Sequence, residues 1–89
     1  MTQEQFSEYV ERFQELQIEC VNDYGIICAL SVSATQCRVV IYTKLAPTQS
    51  YFLYRDADNR EGDKVLSRIR NFIRSIVSWE DLNLDRGNG

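Results

Sequence analysis

Between Gly25 and Lys44 the chain carries two apolar, β-branched runs, Ile26–Ser33 and Cys37–Lys44, separated only by Ala34, Thr35 and Gln36. A break that short leaves no room for a crossover, so the runs must pair as an antiparallel hairpin at the centre of a sheet. In the first run the alternate set Ile26, Cys28, Leu30 and Val32 is wholly apolar, while Ile27, Ala29, Ser31 and Ser33 are mixed. In the second, Cys37, Val39 and Ile41 are apolar, while Arg38, Val40, Tyr42 and Lys44 are mixed. Alternation with period two marks strands with one buried face. A loop from Ser33 to Gln36 sets Val32 opposite Cys37 and keeps both apolar sets on one side.

The flanks of this hairpin read as helices and one further strand. Thr2 to Asn22 is an amphipathic helix, with Thr2 and Gln5 spaced as a capping box. Phe6, Tyr9, Val10, Phe13, Leu16, Cys20 and Val21 recur at three- and four-residue steps and define its buried face. Gln17, near the middle of that arc, is expected to be a hydrogen-bonded core amide. Gly25 supplies the left-handed stop. After a turn around Pro47, Tyr51–Tyr54 forms a third strand, and Arg55–Asp63 is a charged loop in which Asp58 or Asp63 caps the next helix. That helix spans Asp63 to Ser78, with Val65, Leu66, Ile69, Phe72, Ile73, Ile76 and Val77 as its apolar arc and Trp79 at its end.

Two helices with one apolar face each, and three strands sharing one, give an α+β fold. It is a two-layer α-β-β-β-α domain over residues 1–80, a three-stranded antiparallel meander with both helices on one face, followed by a polar tail over 81–89. Eighty-nine residues leave no room for a second core.

Inventory narrows the chemistry. The chain has no histidine, which removes Ser-His-Asp and Cys-His nucleophile pairs and the commonest metal ligand, and a non-enzyme is expected. Its three cysteines, Cys20, Cys28 and Cys37, lie in apolar stretches without C-x-x-C spacing and read as free core thiols in a reducing cytoplasm. The Asp56–Asp63 segment lacks a glycine at the sixth position of a calcium loop and the bidentate glutamate at the twelfth, so neither metal nor cofactor is expected. No apolar run approaches the roughly 20 residues a membrane helix needs. A small-molecule substrate is not expected either.

Three surfaces remain as candidates. The outer sheet face carries Ile27, Ala29, Val40 and Tyr42, and the third strand must add either Phe52 and Tyr54 or Tyr51 and Leu53. With Phe52 and Tyr54 outward, the partner-binding set is Ile27, Val40, Tyr42, Phe52 and Tyr54. Such a face is more than the scattered apolar exposure that needs no explanation, unless Leu82 and Leu84 of the tail fold over it. A second surface is the basic helix, with Lys64 and Arg68 on one flank and Arg70 and Arg74 on the other, a nucleic-acid contact by charge. The third is the acidic stripe Glu4, Glu8, Glu11, Glu15 and Glu19 on the first helix, which could imitate nucleic-acid phosphates.

The α-β-β-β-α order is similar to that of double-stranded RNA-binding domains, but Gly62-Asp-Lys-Val-Leu-Ser-Arg68 stands where their Lys-Lys-x-Ala-Lys signature opens the second helix. Only element order is shared. By size and acidity alone, the net charge being −3, the chain also resembles small phage-coded inhibitors of host defence nucleases. The expected function is a non-catalytic protein-protein interaction module, of inhibitor type, with a larger protein or a second copy as its partner. Nucleic-acid binding and phosphate mimicry are the alternatives.

Overall fold

A computed structural model describes residues 1–88, with side chains described as far as residue 77. The fold is α+β in the expected order, two helices and one antiparallel sheet of strand order β1-β2-β3. Helix α1 (Gln3–Glu19) opens on the capping box: Thr2 Oγ1 accepts from the Gln5 N–H at 3.2 Å, and the Thr2 N–H donates back to Gln5 Oε1 at 2.9 Å. Its end departs from expectation. Instead of continuing to Asn22, it widens into a π-helical turn over Cys20–Tyr24 and stops at Gly25, whose φ is 65°. The Gly25 and Ile26 N–H groups both donate to the Cys20 carbonyl, a closure that needs the left-handed residue. The wider turn breaks the α-helical period. Val21 is consequently exposed, not part of the core, while Cys20 is fully buried. Gln17 is half-exposed on the helix flank, so it is not the core amide expected of it.

Strands β1 (Ile27–Val32) and β2 (Gln36–Tyr42) pair with Val32 opposite Cys37 and Cys28 opposite Ile41, the register the alternation dictates. Ser33 makes the tight connection possible without an Asn-Gly pair. Its N–H donates to the Gln36 carbonyl at 2.8 Å, and its hydroxyl accepts from the Thr35 and Gln36 N–H groups. Strand β3 (Gln49–Tyr54) starts two residues before the apolar run, and pairs Tyr51 with Val39 and Leu53 with Cys37.

Helix α2 (Asn59–Asn88) is longer than expected at both ends. Asp58 starts it, through Oδ1, which accepts from the Glu61 N–H at 3.0 Å; Asp63 lies inside the helix. At the other end the backbone stays helical through the segment read as a polar tail, where no glycine or proline intervenes before Gly87. The side chains of Trp79, Leu82 and Leu84 lie outside the described residues, as does Gly89.

One core joins the layers. Phe6, Phe13 and Leu16 of α1 meet Cys28, Val39, Ile41 and Leu53 of the sheet and Val65, Ile69 and Ile73 of α2. Both helices therefore rest on the same sheet face, α1 over β1 and α2 over β3. Between the helices, the Tyr9 ring lies directly on Gly62, where an added Cβ would stand 2.5–2.8 Å from the ring carbons. The Tyr9 hydroxyl lies 2.9 Å from the Asn59 carbonyl and 2.8 Å from Asp63 Oδ1, so its single proton is shared between two acceptors on α2. Burial, and then the Asp63 carboxylate, hold the Tyr9 phenol above its ordinary pKa.

All three cysteines are free and buried. The Cys20 and Cys28 thiols are hydrogen-bonded to each other, which together with burial raises the Cys20 pKa. Burial, with the neighbouring Cys28, pushes Cys37 up to about 11. Cys20 and Cys37 are thus protonated thiols at neutral pH, whereas the contact with Cys20 lowers the Cys28 pKa against the opposing effect of burial.

Two measurements test this packing. Gly62→Ala drives a methyl into the Tyr9 ring and should destabilise the protein by about 1–3 kcal/mol in urea unfolding, whereas Ser67→Ala, exposed on the same helix, should stay within about 0.5 kcal/mol. Because the folded pKa of Cys37 lies above its ordinary value of 9.0, the folded state holds that proton longer. Its contribution to stability is complete below pH 9 and is lost as pH rises toward about 11. Unfolding free energy measured across that range should fall, and Cys37→Val should make the fall shallower.

Candidate interaction surface

Strand pleating fixes what the outer face presents. Across β1 and β2 it pairs Ile27 with Tyr42, Ala29 with Val40 and Ser31 with Arg38; across β2 and β3 it pairs Val40 with Ser50, Arg38 with Phe52 and Gln36 with Tyr54. Phe52 and Tyr54 are therefore the outward pair, while Leu53 is buried and Tyr51 half-buried against α2. Ile27, Tyr42, Phe52 and Tyr54 stand 61%, 46%, 42% and 53% exposed. They run diagonally across the sheet, from the start of β1 to the end of β3.

Val40 departs from the expected surface. It is 6% exposed and belongs to no part of the main core. Its direct cross-strand neighbours, Ala29 and Ser50, are small. Its diagonal and same-strand neighbours Ile27, Phe52, Arg38 and Tyr42 are long enough to reach over it. Val40 is thus the floor of the surface and not a contact residue.

The aromatic end is organised. The Phe52 and Tyr54 rings stack with centroids 6.4 Å apart and an interplanar angle of 13°. The Arg38 guanidinium carbon lies 5.7 Å from the Phe52 ring centre. A cation over an exposed ring contributes about 0.5–1 kcal/mol and holds both side chains in place. Arg38 did not stand out in the sequence, because its role depends on the β2–β3 register that sets it opposite Phe52.

The basic residues do not form one patch. Arg70 and Arg74 face α1, where they line a hollow with Glu19, Leu16 and Tyr24; Arg70 also borders a second hollow with Arg12 and Glu15. Lys64 and Arg68 lie on the opposite flank of α2, and Arg68 is close enough to Tyr51 to oppose the rise that burial gives its phenol pKa. All four are exposed. The acidic stripe is exposed along its length, but Glu8, Glu15 and Glu19 border these seams and share them with Arg12, Arg70 and Arg74. Acidic residues of α1 and basic residues of α2 thus line the same hollows.

Among the described residues, no group of three metal-ligating side chains is arranged to hold an ion, and no helix is long and apolar enough to cross a membrane. No protein-family model, no curated protein and no solved structure matches the chain.

Proposed function

We propose that the chain is a non-catalytic interaction module that docks on a larger protein through the outer face of its sheet. The supporting observation is the diagonal of large exposed side chains, Ile27, Tyr42, Phe52 and Tyr54, on a rigid strand framework whose opposite face is closed by two helices. Aromatic side chains of this kind supply contact area at little entropic expense, and they are enriched where proteins meet. Arg38, held over Phe52, adds a fixed positive charge at the aromatic end. The partner best suited to this face offers apolar hollows for the rings and a carboxylate for Arg38. The mode of action is occupation of that partner's surface, as an inhibitor works.

Tyr42→Glu and Phe52→Glu, made singly, should each weaken capture of the partner by about 30-fold or more, as expected for hot-spot residues. Their exposure leaves the core untouched, so circular dichroism and thermal midpoint should stay close to wild type. Partner capture that survives both substitutions would overturn the proposal.

A further inference from the structure

The π-helical turn that ends α1 brings two of the three cysteines together. Cys20 is its first residue, and the Cys20 carbonyl accepts from both the Gly25 and the Ile26 N–H, which returns the chain directly into β1. Cys28 is the second residue of that strand, and both cysteines are part of the one core. Their thiols are in contact, with the Cys20 S–H donating to the Cys28 sulfur.

Cys37 is as deeply buried but stands apart. The β1–β2 register sets Cys28 opposite Ile41, and Cys37 lies four positions further along β2. That is about 13 Å of strand, whereas a disulfide needs its two Cα atoms within about 7 Å. Distance along the chain makes no such choice. Cys28 is eight positions from Cys20 and nine from Cys37, so an unfolded chain closes either loop almost equally well. The fold alone selects Cys20 as the neighbour of Cys28.

A path leads to the pair from outside. Between the end of α1 and α2 lies a hollow of about 280 Å³, with Leu16, Cys20 and Ile73 buried in its wall and Glu19, Arg70 and Arg74 exposed around it. A hollow of this size admits water, and hydrogen peroxide, with the same hydrogen-bonding groups, is little larger. Cys20 itself is fully buried, so the last step of the approach is a local opening of the turn, which a helix end undergoes more readily than a core strand.

We propose that Cys20 and Cys28 form an oxidisable dithiol, which a peroxide converts into a disulfide clamp between the end of α1 and the start of β1. Cys28 is the sulfur whose ionisation the thiol contact favours, so it is the nucleophile. Its thiolate attacks one oxygen of the peroxide. The S–O bond forms, the O–O bond breaks, and the departing hydroxide takes up the proton released by Cys28 and leaves as water. The Cys20 sulfur then attacks the resulting sulfenic acid. The S–S bond forms, the S–O bond breaks, and the hydroxyl leaves as a second water with the Cys20 proton. Two electrons pass from the sulfur pair to the peroxide, and a dithiol reductant reverses the change. The site lies on the core side of the sheet, apart from the docking face, and does not rest on it.

The test is treatment of the fully reduced, folded full chain with excess hydrogen peroxide. Its intact mass should fall by two hydrogens, the thiols that titrate after denaturation should drop from three to one, and peptide mapping should find Cys20 joined to Cys28. Dithiothreitol should restore all three thiols. Cys20→Ser and Cys28→Ser should each abolish the two-hydrogen loss, whereas Cys37→Val should keep it, with circular dichroism reporting the fold of each variant. The same oxidation in urea should join Cys28 to Cys20 and to Cys37 in comparable amounts. If a serine variant fails to fold, the comparison of folded with urea-unfolded wild type decides by itself. A folded wild type that keeps three thiols overturns the proposal, as does one that bridges through Cys37 or gains oxygen without forming a bridge.

Discussion

The contact between the Tyr9 ring and Gly62 sets how closely the two helices meet over the sheet. Three strands about 4.8 Å apart place β1 and β3 about 10 Å from each other, which matches the 8–10 Å between the axes of packed helices. One helix therefore rests over each edge strand, and the two touch most closely at Gly62. Gly62 presents no side chain to the ring, and the Tyr9 hydroxyl is then received by Asn59 and Asp63. With that junction made, Ile69 and Phe13 are both fully buried over the strands. A side chain at position 62 would press on that ring and force the two helices apart there.

The layered fold was legible in the chain because each apolar set kept one period throughout. The alternation in Ile26–Ser33 and Cys37–Lys44 determines the hairpin register, and Thr2 with Gln5 marks the first helix start. What escaped was governed by single backbone groups. Asp58 and Asp63 are equivalent as caps by residue type, and only the Asp58 contact to Glu61 decides where α2 begins. The π-helical turn before Gly25 likewise leaves no trace in the apolar spacing, yet it turns Val21 outward. The C-terminal run, with no Gly or Pro before Gly87, stays helical as far as Asn88, although its polarity reads as a loop.

The surface was legible in outline and misread in one detail. Strand parity alone puts Ile27 and Tyr42 on the outer face, and the β2–β3 register then chooses Phe52 and Tyr54 over Tyr51 and Leu53. Val40 shares that parity, but a central-strand residue between Ala29 and Ser50 sinks below its larger neighbours. Parity predicts which side a residue faces; the size of its neighbours decides whether solvent reaches it. The basic residues were divided the same way, since helical position sends Arg70 and Arg74 to the α1 seam and leaves Lys64 and Arg68 over β3.

The two edge strands bear on how the protein avoids fibre formation. Neither β1 nor β3 carries a charge or a proline within its span. At the end of β3 the Ala57 N–H occupies the Tyr54 carbonyl, and the Met1 ammonium occupies those of Arg55 and Ala57 just beyond. Elsewhere the protection is brevity: strands of six residues offer few outward backbone groups, a poor template for an endless ribbon.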